Sequence, residues 1–479
     1  MTFAGQAATI RYVKLNGTGD GSSWANAAGN IQTVVNASVS GDQVWIASGT
    51  YPLTATLTMK EGVNVYGGFL GNETDINNRH KSDLNNNGII EPWEFTNATI
   101  LDGQNARRVL YQADAFDMGT TWDGITITRG SCPYGAGAYI RANGKLNNCI
   151  IQDNKYVILT VYSNTVIYGG GIYNDGGTVN NCTIHGNNIR SEHNYPGRIA
   201  QSYSHNVRGA GIYNNGTVSN CVICNNYCGC YTNGNGTIFS YGGGIYNAGI
   251  VSSSCIYNNE TSVYSYYEYG GGAICNQGYV YCSTILNNMD NGKIVNIDPY
   301  IVSYVDRFYK CITENSNLTQ NFIRPTSFAG VASNDAQRAE LLRADWRLKQ
   351  GSQYIETGSL ANLPDWVING TDLAGNPRVS NGKISMGAYE FDPKANNAIK
   401  STHFDNDIKI YPNPVSDSFI VDYESFIQVK IYDMLGKEIV SQDTNGKTEI
   451  NVNHLSKGIY NVRIVSEGRI IGNSKIVKR

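Results

Sequence analysis

From Asp83 to Glu94 the chain reads Asp-Leu-Asn-Asn-Asn-Gly-Ile-Ile-Glu-Pro-Trp-Glu. Side-chain oxygens fall at the first, third, fifth, ninth and twelfth places, and a glycine at the sixth. A twelve-residue loop needs this spacing to wrap a divalent cation of calcium size. Asp83, Asn85 and Asn87 would offer side-chain oxygens, Ile89 its carbonyl, Glu91 a water-mediated contact and Glu94 a bidentate carboxylate. Gly88 permits the sharp turn, and Ile90 takes the apolar place that ties such a loop to a core. The cofactor expected is therefore calcium. With three carboxylates the affinity expected is extracellular, on the order of 0.1–1 mM. Helix signals beside the loop are weak, so its expected role is to brace an extended insertion. The alternative reading is an asparagine-rich turn.

Other constellations are sparse. His185, His193 and His205 lie in or near one segment, as surface histidines do, and no CxxC pair or HExxH helix occurs. A polysaccharide lyase needs clustered carboxylates and an Arg or Lys base. Asp117, Asp123 and Arg129 are near enough in sequence to consider, but Asp123 reads better as a turn residue before a strand at Gly124. Charged residues make up 16% and the net charge is -3, which gives nothing to neutralise phosphates and excludes nucleic acid as the expected partner. No apolar run spans a bilayer. Met1 to Ile10 lacks a basic and an apolar region, as expected of a chain start left by signal-peptide removal.

The elements that must carry these residues come from a repeat. The 53 glycines and 33 tyrosines disfavour long helices and suit short strands. A block recurs at Gly135–Tyr139, Gly169–Tyr173, Gly209–Tyr213, Gly242–Tyr246 and Gly271–Cys275. Each is followed by Ile151, Ile184, Ile223, Ile256 or Ile285. Two residues before each isoleucine stands Cys149, Cys182, Cys221, Ser254 or Ser283, and three after it Asn154, Asn187, Asn226, Asn259 or Asn288. A spacing of two places cysteine and isoleucine on one strand face. One repeat cannot bury that face, but stacked repeats can. The isoleucines are expected to form an interior column. The asparagines are expected at a corner, in left-handed conformation and hydrogen-bonded along the stack. The cysteines are expected as buried thiols, because strands ~4.8 Å apart in register do not suit disulfides. One disulfide among Cys224, Cys228 and Cys230 stays open. Residues 155–168, 188–208, 227–241 and 260–270 are insertions expected to leave the same corner and stack into one wall. They hold twelve tyrosines. Tyr162, Tyr195, Tyr203, Tyr231, Tyr264, Tyr266 and Tyr267 are the candidate ligand-binding residues, for sugar rings or a protein partner. The same rings can equally pack on one another to order the loops.

These blocks resemble the right-handed parallel β-helix repeats of bacterial surface proteins, especially those of Bacteroidetes. Gly271–Ile274 also resembles the repeat of chlamydial polymorphic outer-membrane proteins. Asp345–Ser352, Asp372–Arg378 and Met386–Glu390 resemble the choice-of-anchor segment that closes such helices, which implies a cover over the open end. Ile410–Val415, Gly436-Lys437, Leu455–Tyr460 and Lys475–Arg479 fall where the type A sorting domain of the type IX secretion system has them. That resemblance covers the last 75 residues and implies Sec export, then type IX secretion, then release or attachment at the outer-membrane surface. A generic immunoglobulin-like sandwich also fits the length and strand count.

The expected fold class is all-β: a right-handed parallel β-helix followed by a small C-terminal immunoglobulin-like β-sandwich. The expected divisions are a tail (1–10), the β-helix (11–331) with its loop insertion (83–94), a closing segment (332–392), a linker (393–404) and the sorting domain (405–479). The partners implied are the type IX secretion machinery and a polysaccharide or cell-surface ligand. The functional expectation is a non-catalytic adhesin or glycan-binding protein. The alternatives are a polysaccharide lyase or glycosidase on the same scaffold, and a structural coat component.

Overall fold

The computed structural model describes residues 8–160, 163–193, 203–232, 237–264, 267–272, 274–297, 307–393, 409–423, 426–433, 438–466 and 469–479. The chain folds as two compact units, Met1–Asn396 and Asn397–Arg479.

The first unit is a parallel β-helix. Among the described residues three walls run its length, of ten, eight and seven strands. Each coil gives each wall one short strand. One coil, for example, contributes Gly144–Asn147 to the first wall, Ile150–Gln152 to the second and Ile172–Asp175 to the third, and each pairs in parallel with its counterparts in neighbouring coils. In the second wall Leu101, Ile127, Ile151, Ile184, Ile223, Ile256 and Ile285 lie in direct register. All seven are fully buried in one core with Val179, Val218 and Val251 of the first wall and Ile172, Ile212 and Ile245 of the third. Burial of three inward faces is what a single coil cannot achieve and a stack can.

The asparagine column is a hydrogen-bonded ladder. The side-chain N–H of Asn154 donates to the side-chain oxygen of Asn187 at 2.9 Å; Asn187 donates to Asn226 and Asn226 to Asn259, each at 2.9 Å, and Asn259 to Asn288 at 3.1 Å. Left-handed backbone belongs to the residue before each rung, Asp153, Gly186, Asn225, Asn258 or Asn287, and not to the ladder asparagines as expected. The turn is made one residue earlier, so the ladder side chains point into the coil and satisfy backbone carbonyls such as that of Ile184 (3.0 Å). A second ladder, Asn174–Asn214–Asn247–Asn276, has 2.7 Å steps. Cys149, Cys182, Cys221, Cys224, Cys228 and Cys230 are buried free thiols.

The glycine block has a steric cause. Its first residue turns through positive φ (Gly169, +68°), and its third lies against the ladder. A Cβ on Gly171 would come within 2.6 Å of the Gly211 carbonyl oxygen and 3.0 Å of the Asn187 amide.

Three features depart from the sequence reading. The amino-terminal coils contain a helix, Ile31–Ala37, capped by Asn30, whose Ile31, Val34 and Val35 join the solenoid core. The insertions are not loops: they continue as two parallel sheets. One contains Lys155–Thr160, Asn188–His193, Tyr227–Thr232 and Glu260–Tyr264, extended by Met289–Asp290 and an antiparallel Lys293–Ile294, and the other Thr165–Tyr168, Ser204–Arg208, Thr237–Tyr241 and Tyr267–Gly271. Between them lies a separate small core of Ile167, Ile189, Val207, Cys228, Ile238 and Val263. The closing segment, together with residues 307–331 that lead into it, does more than cover an end. Phe308–Tyr309 and Ile312 extend the last coil, and Phe322–Tyr389 lies along the outer face of the second wall. There Phe322, Trp346, Leu373 and Tyr389 pack with Cys255, Tyr257 and Leu286 of the wall and with Trp93 of the 83–94 insertion.

The second unit holds a three-stranded antiparallel sheet (Lys409–Tyr411, Ser418–Asp422, Thr448–Asn451) and a four-stranded one (Phe426–Tyr432, Glu438–Asn445, Gly458–Ser466, Arg469–Lys478). Phe419, Val421, Val429, Ile431, Ile450, Val462 and Ile464 form the core they share, a small sandwich.

Candidate functional site

The 83–94 loop is folded on its own acids. Asp83 accepts the backbone N–H groups of Asn87 (2.9 Å) and Gly88 (2.8 Å). Glu94 reaches back from the far end and accepts from Leu84 (3.0 Å), Asn85 (3.2 Å) and Glu91 (3.0 Å). The Asn85 and Asn87 amides donate to Glu91, and the Ile89 N–H donates to the Asn87 side-chain oxygen at 2.7 Å. Asp83, Asn85, Asn87, Glu91 and Glu94 are thus gathered in one place, with Asn87, Glu91 and Glu94 buried. Burial, then the facing Glu94 and the Asp83 charge, push the Glu91 carboxyl up to about 9, with the Asn87 amide opposing. Glu94 is raised too, first by burial and then by Asp83. Among the described residues no three His, Cys, Asp or Glu side chains converge as a preformed metal cluster. Here the carboxylates are engaged with loop amides. Ile90 is 51% exposed and does not enter a core as expected; Trp93 makes that anchor, because the loop docks edge-on to the lateral core. Arg324 of the closing segment also donates to the Asn87 carbonyl at 2.7 Å.

Of the candidate tyrosines, Tyr162, Tyr195 and Tyr266 lie outside the described residues. Tyr267 opens a strand of the second insertion sheet. Tyr203 is half-buried and Tyr264 exposed, and the half-buried Tyr231 shares a hydroxyl–hydroxyl contact with Tyr227. The ordered aromatic face lies elsewhere, on the outside of the third wall. Tyr111, Tyr139, Tyr173, Tyr213 and Tyr246 occupy one register position in successive coils. Centroids from Tyr139 to Tyr173, to Tyr213, to Tyr246 are 4.7, 4.8 and 5.1 Å apart, with rings within 9° of parallel. Tyr168 stacks beside Tyr213 at 4.8 Å. Arg108 lies over Tyr111 (4.7 Å), Arg141 over Tyr139 (5.3 Å) and Arg208 over Tyr246 (4.7 Å). Burial raises the Tyr173 and Tyr246 phenols above their ordinary range, so both are uncharged at neutral pH. Their ring faces are consumed by mutual stacking. The row sets ring edges and hydroxyls at a regular step, with guanidinium groups beside Tyr111, Tyr139 and Tyr246; Tyr246 itself is buried, and the Tyr139 and Tyr246 hydroxyls accept from Arg141 and Arg208. The signal was in the repeat: each Gly-Gly-Gly-Ile-Tyr isoleucine points inward, so the next residue must point out and pile up in register.

Asp117, Asp123 and Arg129 are each engaged separately. Asp123 is buried and accepts from Arg79 (2.6 Å), Asn147 (2.6 Å) and Asn148 (2.8 Å), while Arg129 pairs with Asp102 and the Asp117 N–H donates to Glu61 (2.6 Å). Asp123 thereby anchors the insertion's Arg79, itself 4.6 Å from the Phe95 ring. His185 is half-buried on the second wall; burial lowers its pKa, with Asp153 opposing and Arg338 assisting.

Residues 409–479 match the family model described as the secretion system C-terminal sorting domain. No curated protein matches the chain. The match identifies the C-terminal unit as a type IX secretion signal of the Bacteroidetes kind, and it places the protein at the cell surface or in the extracellular space. No helix among the described residues is long and apolar enough to cross a membrane.

Proposed function

Given a C-terminal sorting domain for type IX secretion, we propose that the β-helix is a surface-displayed, non-catalytic glycan-binding protein, an adhesin. The observation that carries this reading is the tyrosine–arginine row of the third wall. Its repeat of 4.7–5.1 Å sets tyrosine rings in step along the solenoid, with guanidinium groups beside Tyr111, Tyr139 and Tyr246, suited to a polymer whose own hydroxyls recur along its length. The test is a glycan array on the full chain, paired with a screen for unsaturated uronate products. The reading expects polysaccharide binding that falls at least tenfold in Tyr213→Ala, with an unchanged circular-dichroism spectrum and no products. Unsaturated products would favour the lyase alternative, and neither binding nor products the structural coat.

Calcium is proposed as the brace of the 83–94 insertion. Its support is the spacing of Asp83, Asn85, Asn87, Ile89, Glu91 and Glu94 and the burial of the Glu91 and Glu94 carboxyls in one place, which raises both above their ordinary range and which a bound divalent cation would offset. Bound there, it would stiffen the loop against the closing segment through Trp93 and Arg324.

A further inference from the structure

Along one corner of the solenoid successive coils turn through a left-handed residue: Asp153, Gly186, Asn225, Asn258 and Asn287. The last three hold an extended stretch of the chain itself. The Asn287 amide donates to the Thr326 carbonyl (3.1 Å), and the Asn258 amide donates to the carbonyls of Phe328 (2.8 Å) and Gly330 (3.0 Å). The Asn225 oxygen accepts from the Ala332 N–H at 2.8 Å. Beyond Ala332 the chain turns off into the helix Asp335–Leu342. The two preceding coils keep the same corner without that cover, and a cavity of about 300 Å³ lies there. Its floor is Gly186, where the coil before carries Asp153 and the coils after carry asparagine. Its walls include Asp153, Asn188, Arg190, Tyr227 and Arg338.

We propose that this corner cavity binds a single neutral sugar unit of a polysaccharide. The inference rests on the glycan-binding reading but concerns a different site. At roughly 30 Å³ per water the space holds about ten waters, the scale of one sugar ring with its hydroxyls. Its lining is polar and close to charge balance. Arg190 is tied to Glu192 at 2.8 Å, which leaves Asp153 against Arg338. That balance suits a neutral, many-hydroxyl ligand better than an anion or an apolar molecule.

The test titrates the full chain with methyl glycosides of glucose, galactose, mannose and N-acetylglucosamine, followed by saturation-transfer NMR. Methyl glucuronoside and a capped tetra-alanine peptide are the controls. At least one neutral glycoside should bind, with a Kd on the order of 1 mM as small polar ligands do. Gly186→Asn supplies the side chain that the following coils carry. A Cβ there meets the end of the exposed Asp153 side chain at 2.6 Å, which can swing away, so the fold is kept and the floor is filled. Binding should weaken at least tenfold with the melting temperature unchanged; Arg338→Ala should weaken it as well. Binding of no neutral glycoside, undiminished binding in Gly186→Asn, or binding of the peptide alone overturns the proposal. Polymer binding on the tyrosine row is read separately through Tyr213→Ala, so failure at one site is told apart from failure at the other.

Discussion

Asn226 spends its amide in both directions along the ladder. It donates to Asn259, Ile184 and Cys224 and accepts from the backbone and side-chain N–H groups of Asn187. Truncation to alanine leaves several buried donors and acceptors without partners. At about 1–3 kcal/mol per orphaned group, Asn226→Ala should cost about 3–5 kcal/mol in chemical denaturation. A loss under about 1 kcal/mol would mean that water replaces the ladder. Glu94 is decisive in another way, since its carboxylate both closes the loop and would chelate the cation. With a dissociation constant on the order of 1 mM, about 10 mM calcium should stabilise the parent by about 1.4 kcal/mol through linkage. Differential scanning calorimetry should show that rise in the parent and none in Glu94→Gln. A parent insensitive to calcium removes the metal assignment.

The insertion sheets and the glycine block depend on each other. Four coils leave the corner after the ladder asparagine, run out and back through the two added sheets, and return toward the third wall through Gly-Gly-Gly, Gly-Ala-Gly or Gly-Gly-Ala. The returning backbone passes so close to the next coil that a Cβ on Gly171 or Gly211 would lie within 2.6 Å of that coil's carbonyl oxygen. Gly171→Ala should therefore cost about 1–3 kcal/mol by overpacking, seen as a lower denaturation midpoint. Gly41→Ala serves as the control: nothing stands within 4 Å of a Cβ there, although its positive φ adds a smaller strain. Equal costs at the two sites would show that the close approach at Gly171 costs no more than the strain of a positive φ.

The β-helix and the sorting domain are separate compact units, each with its own core. Removal of residues 397–479 should leave the melting transition of the β-helix in place and abolish its appearance at the cell surface. Surface labelling of intact cells, set beside calorimetry of the truncated chain, measures both. Surface display of the truncated chain would contradict a sorting role for the C-terminal unit. Within the first unit the lateral core is the long-range tie: it joins Trp93 of an early coil to Trp346 and Tyr389 of the closing segment.

The sequence alone determined the β-helix, because like residues recurring at matched spacing can be buried only by stacking. Ile151, Ile184 and Ile223 were therefore legible as a column, and Asn154, Asn187 and Asn226 as a ladder. That Asp83, Asn85, Asn87, Glu91 and Glu94 gather in one place was equally legible, since they lie within twelve consecutive residues. The tertiary structure decided what local pattern could not encode. Tyr173 and Tyr213 became a stacked face because their coils align, while the aromatic residues singled out on the insertions are dispersed or lie outside the described residues. Trp93, and not Ile90, anchors the loop because a segment more than two hundred residues later supplies the surface it packs on. The open corner at Gly186 exists because the covering segment turns away after Ala332. Periodic spacing fixes what repeats from coil to coil; contacts between distant, non-repeating segments are fixed only when the chain is folded.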